Sequence, residues 1–271
     1  MNFEELKDEY AKLWATCEVT QSAAVATEAN AILGMTAEYK KCEVSAHVPW
    51  FVIGVMHVRE AGLVGRPPHP DFAACLHNGE RIVGTGRKTS LVPRGRGPFA
   101  SFRASVVDAC ELEGLHKLDW YAGDGPARTA YALEKFNGFG YRAAGRSGRS
   151  PYLWAGTNHQ LAGKFTSDGH YDAAAWDTQV GGMALLKKLM ELDPSVSFEE
   201  PKPAPLKPTV TGAVTTGAAV SLTAAAAWLG DHPLAAGVAA YAAYALARTV
   251  TEAGAWGKVL AALAAMEKAR R

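Results

Sequence analysis

The chain has 271 residues, of which 48% are apolar and 20% charged, with a net charge of +1. That length can bury a full core and exceeds one average domain, so one domain with an appendage is expected; the near-zero charge excludes an overall field for a polyanion such as nucleic acid. The four cysteines, Cys17, Cys42, Cys75 and Cys110, form no CxxC pair and no zinc spacing, so they read as mostly buried thiols, with one disulfide left open.

Residues 1–20 open with an acidic amphipathic helix that carries Glu4, Glu5, Asp8 and Glu9 and sets Phe3, Leu6, Tyr10, Leu13, Trp14 and Cys17 on one face. This start lacks the basic beginning and apolar stretch of a leader peptide, so synthesis in the cytoplasm is expected. Helices follow at 22–33, closed by Gly34, and at 36–44.

The next segment, PWFVIGVMHVRE (49–60), is almost wholly apolar and ends in a carboxylate. Pro49 suits the first turn of a helix and Gly62 its left-handed stop, which puts Glu60 in the last turn. At helical spacing Trp50, Ile53, His57 and Glu60 share a stripe. Apolar neighbours and the helix dipole both disfavour an ionised carboxylate there, so its pKa should rise, as a general acid requires. The alternative is a surface Glu60 paired with Arg59 or Arg66.

Residues 63–100 are punctuated by glycine and proline, with Asn78-Gly79 as a tight-turn pair, and predict a small hairpin lobe of two or three short strands. Arg81, Arg87, Lys88, Arg94, Arg96 and Arg103 make residues 81–103 basic, the mark of a contact with an anionic polymer or of a solvated hairpin. Helices return at 101–112, at 124–136 with Asp124 capping, Pro126 in the first turn and Gly138 stopping, and at 172–192 with Trp176, Val180, Met183, Leu186 and Leu189 as a core stripe. The class is α+β, mainly α, in two parts with a cleft at the junction where Glu60 lies.

A domain over 1–193 then gives way to a Pro/Lys linker at 194–208. Residues 209–271 read as an alanine-rich helical hairpin and a basic tail helix. Residues 209–230 carry no charge and 234–247 are again apolar, which suits association with the inner membrane; a soluble hairpin that packs or self-associates explains the same residues. Lysine and arginine flank both ends of the hairpin, so the positive-inside rule would leave both ends cytoplasmic, and a factor that breaches the membrane would be needed for access to the wall.

Six pieces in order resemble the lysozyme-like endolysins of phages and prophages: VIGVMHVRE (52–60), DFAACLHNG (71–79) with Thr89, VPRGRGPF (92–99), FNGFGYR (136–142), SPYLW (150–154) and Asn158-His159. The resemblance spans about residues 45–190. It implies a lysozyme-type fold, cleavage of the glycan strand of peptidoglycan, and release of phage by host lysis from a cytoplasmic site of synthesis, acting in the periplasm. The family's glutamate is usually followed by serine, whereas Ala61 and Gly62 follow here, and residues 65–70 look like a local insertion. By similarity Glu60 is the acidic catalyst, with Asp71 and Thr89 as candidates to orient water; Asp71 could equally cap a turn and Thr89 be a strand residue. His77, Asn78, Asn137, Tyr141, Tyr152 and Asn158 are the candidate sugar contacts, while Trp154 is left to the core. A wall-binding module without turnover, whose apolar tail acts in the membrane or in assembly, is the alternative. HxxE without a second histidine, and CxH at 75–77, are too thin for zinc, so neither metal nor cofactor is expected.

Overall fold

The computed structural model describes residues 1–62, 72–167 and 169–199, all within the first of the two units into which the chain divides, Met1–Pro201. Asp71, Arg66, most of the linker and the whole of 209–271 lie outside the described residues. Among the described residues no helix is long and apolar enough to cross a membrane.

The fold is mainly helical, with a single two-stranded antiparallel sheet among the described residues. Helix α1 (Phe3–Ala15) begins with a capping box in which Asn2 and Glu5 satisfy each other's backbone N–H groups, and it buries Phe3, Leu6, Tyr10 and Leu13. It packs on α6 (Gly125–Asn137). Helices α2 (Ser22–Gly34) and α3 (Thr36–Ala46) lie against α4 (Trp50–Ala61), which also meets α8 (Gly182–Leu192).

Every residue of α4 from Trp50 to Arg59 is buried, so α4 is the central rod of the domain rather than a one-faced helix. Pro49 caps its start, where a missing N–H costs nothing. Gly62, at φ 63°, ends it through a bond from its N–H to the Val58 carbonyl. α5 (Phe102–Leu112) starts at Ser101, whose hydroxyl accepts from the Ala104 amide. Asp124, expected as the cap of α6, makes no such bond; its carboxylate is drawn instead to Arg128 and Lys7. Trp154, in the short α7 (Pro151–Trp154), is a core residue, and the four cysteines are free and buried.

Two expectations change. The lobe at 72–100 contains no strand among its described residues. Gly79, Gly84, Gly86, Gly95 and Gly97 all take positive φ, so no run stays extended, and scattered bonds such as Gly84 N–H to Phe99 O and Thr89 N–H to Arg96 O hold it around a small cluster of Cys75, Ile82 and Phe99. The strands form elsewhere, as β1 (Lys164–Ser167) paired with β2 (His170–Asp172). Consequently the helix expected over 172–192 is confined to α8, and Trp176 is 58% exposed while Val180, Met183, Leu186 and Leu189 enter the core.

The physical reason lies in the end of α4. The last carbonyls of a helix have no partner within it. Gln179 supplies one, its amide nitrogen donating to the carbonyls of Val58 at 3.3 Å and Arg59 at 2.9 Å, and the Arg59 guanidinium in turn donates to the carbonyls of Gln179 and Val180. A helical 177–180 would withdraw those carbonyls into its own ladder.

Candidate active site

A cavity of about 450 Å³ opens beside the end of α4. Its wall is built from Arg59 and Glu60, from Asn137 at the end of α6 and the turn that follows (Gly138, Gly140, Tyr141), from Tyr152, from the β1–β2 hairpin and from Asp177 and Gln179.

Each element delivers its side chain for a local reason. Gly138, at φ 89°, stops α6 so that Asn137 is its last residue, and the 3-10 turn Phe139–Arg142 carries Tyr141 into the wall. The Tyr141 hydroxyl accepts from the Phe165 amide at 3.2 Å, which ties the hairpin to this turn. Asn137 donates to the buried Ser150 hydroxyl at 3.3 Å, one residue before Pro151 begins α7 and points Tyr152 inward. Gly79 fixes the Glu60 backbone from the other side: a Cβ there would collide with the Glu60 carbonyl oxygen.

At the centre, the Tyr152 hydroxyl donates to Glu60 Oε1 at 2.7 Å. Burial pushes the Glu60 carboxyl up to about 7, against the Tyr152 hydrogen bond and the Arg59 charge, which favour the ionised form. Burial and the neighbouring Glu60 charge likewise hold Tyr152 as a phenol, well above its usual range. Glu60 can therefore carry a proton at neutral pH, and Oε2, which receives no hydrogen bond from the described residues, is where that proton can sit.

Arg59 does not pair with Glu60. Its guanidinium is ion-paired with Asp177 at 3.2 Å and lies over the Tyr152 ring, 4.6 Å from the centroid. Lys164 approaches the other oxygen of Asp177 at 2.7 Å. Burial acts to raise the Asp177 pKa, but the Lys164 hydrogen bond, the Arg59 charge and the Gln179 amide overcome it, so this carboxylate stays ionised below its usual range. The cavity thus holds two acids in opposite states, one free to hold a proton and one clamped between cations.

Of the residues singled out from the sequence, Glu60, Asn137, Tyr141 and Tyr152 meet at the cavity. Four others lie outside its wall. Thr89 is buried in the 72–100 lobe, its hydroxyl donating to the Pro93 carbonyl at 2.5 Å and accepting from the Arg96 amide at 2.9 Å. His77 bonds Asp108 at 2.7 Å and stacks on Phe99, and Asn78 bonds Glu80 and the Val92 carbonyl. Asn158 accepts from the Glu18 amide and donates to the Thr16 carbonyl, bracing the end of α1.

Sequence reasoning missed Asp177, Lys164 and Gln179, and considered Arg59 only in the alternative reading, as a surface partner of Glu60. The available signal was Arg59 itself: a cation at the end of a fully apolar helix must find a buried acid or carbonyls, although its partner 118 residues away carries no motif. Comparison of the chain with protein-family models, with curated proteins and with solved structures gives no match.

Proposed function

We propose that this protein is a glycosidase of lysozyme-like type that cleaves the glycan strand of bacterial peptidoglycan, with Glu60 as the general acid. One observation carries the reading: a carboxyl with its pKa near 7 opens on a polar cavity, steadied by a tyrosine hydroxyl. Three of the six motif pieces, VIGVMHVRE, FNGFGYR and SPYLW, send residues into that one cavity.

In this mechanism Glu60 Oε2 gives its proton to the oxygen that links two sugars. The bond from that oxygen to the anomeric carbon breaks, its electron pair leaving with the oxygen, and positive charge develops on the sugar ring. The new Glu60 carboxylate is stabilised by the Tyr152 hydrogen bond and by Arg59. It then takes a proton from the nucleophile, which is water for hydrolysis or a hydroxyl of the same sugar for a transglycosylase outcome. Asn137 and Tyr141 offer an amide and a phenol to sugar hydroxyls and acetamide groups.

A route that relies on one acid fits the described cavity best, since Asp177 is held by two cations and the Thr89 hydroxyl is committed within its own loop. The tail at 209–271 serves in the same reading as a membrane-associating appendage beyond the linker, in a phage lysis protein. Loss of turbidity of isolated peptidoglycan sacculi, compared between the wild-type chain and Glu60→Gln, tests the catalytic assignment; binding to sacculi without turnover by both would point to a wall-binding module instead.

A further inference from the structure

The loop at 85–96 presents a feature that the proposed catalysis does not use. Leu91 and Val92, adjacent aliphatic residues, are 57% and 66% exposed, and Arg87, Lys88 and Arg94 around them are exposed cations. A floppy loop would explain such exposure, but this one is held in place. The Glu80 carboxylate accepts from the Ser90 amide, the Ser90 hydroxyl and the Leu91 amide, and Asn78 donates to the Val92 carbonyl. Thr89 closes the loop from within by bonding both Pro93 and Arg96.

Among the described residues, the acids of the lobe do not cancel the cations Arg87, Lys88 and Arg94. Glu80 is occupied by these loop bonds, and Asp108 is paired with Arg96 and His77. We infer that the tip at Leu91-Val92, with Arg87, Lys88 and Arg94, docks this domain on an anionic phospholipid surface. The cations meet phosphate headgroups, and the two aliphatic side chains enter the apolar layer just beneath. A soluble polyanion would satisfy the charges but offer nothing to Leu91 and Val92, whose desolvation needs an apolar phase. Because the loop is already ordered, little conformational freedom is lost on contact. This inference is independent of the glycosidase reading and of the tail.

The test uses the full chain with Val92→Cys labelled by an environment-sensitive NBD fluorophore, since the four native thiols are buried. The same label at Val44→Cys, on α3 and 75% exposed, is the reference. On vesicles containing phosphatidylglycerol, the label at 92 should shift to the blue and brighten while the label at 44 stays unchanged. Apparent vesicle affinity reported by that label should fall about fivefold for each of Arg87, Lys88 and Arg94 changed to serine. The inference is overturned by an unshifted label at 92, by an equal shift at 44, by the same response to neutral phosphatidylcholine vesicles, or by the same response to soluble polyphosphate.

Discussion

Tyr152 and Glu60, 92 residues apart in the chain, share a 2.7 Å hydrogen bond in which the phenol is the donor. That direction matters. A donor favours the ionised carboxylate, so Tyr152 restrains the rise that burial imposes on Glu60 and keeps its proton transferable near neutral pH.

Tyr152→Phe should therefore move the basic limb of the pH–rate profile upward, not downward. A hydrogen bond to a charged group is worth about 1.5 kcal/mol, so the shift should be roughly one pH unit. Initial rates on sacculi between pH 5 and 9 measure it, and an unmoved or lowered limb contradicts the assigned geometry.

The same carboxyl affects stability with a definite sign. An unfolded Glu60 loses its proton near 4.5 and the folded one near 7, so the folded state binds more protons across that window and stability falls as pH rises through it. Glu60→Gln removes this penalty. Denaturant unfolding at pH 8 should show the variant gaining on wild type, relative to the difference at pH 4.5, by an upper bound of about 3 kcal/mol. A difference that does not depend on pH would show that Glu60 is solvated.

Arg59→Met should destabilise the domain by roughly 1.5–3 kcal/mol, because Asp177 keeps Lys164 but loses one of its two cations, and the Gln179 and Val180 carbonyls lose their donor. Adding Asp177→Asn should recover part of that loss, and the double-mutant cycle measures the coupling. Strict additivity would deny that the pair acts as a unit.

Two of the three asparagines in the motif pieces, Asn137 and Asn158, should separate by readout. Asn137→Ala removes a cavity amide together with its bond to the buried Ser150 hydroxyl, and should raise KM on glycan fragments at a stability cost of about 1 kcal/mol. Asn158→Ala breaks two bonds to the α1 end and should cost about 1–2 kcal/mol of stability with KM unchanged.

The elements that periodicity and caps specify were legible. The helices around Glu60, the stops at Gly62 and Gly138, and the burial of Trp154 follow from local spacing and from residues that tolerate positive φ or lack an N–H, while α2 ends with Gly34 still helical and Met35 as its cap. What was not legible depends on distant partners. The 177–180 stretch looks helical by its apolar spacing, yet it is held out of the helix by the unpaired carbonyls of α4 and by the Arg59 guanidinium, a constraint no local window contains. The strands were sought in the lobe richest in turn residues, where positive-φ glycines are too closely spaced to leave a strand, and formed instead around Gly169. Half of the site was legible for the same reason: Glu60, Asn137, Tyr141 and Tyr152 sit in recognisable pieces, whereas Asp177 and Lys164 reach the cavity only through tertiary pairing.

The central claim is that Glu60 hands a proton to the oxygen between two sugars. Mass spectrometry of soluble muropeptides released from purified sacculi, by wild type and by Glu60→Gln at equal concentration, tests it most directly. Wild type should release glycan fragments with new chain ends, reducing for hydrolysis or 1,6-anhydro for transglycosylation, and the variant should release at least about a hundredfold less. Equal release by the two proteins, or fragments cut only within the peptide stems, would contradict the account.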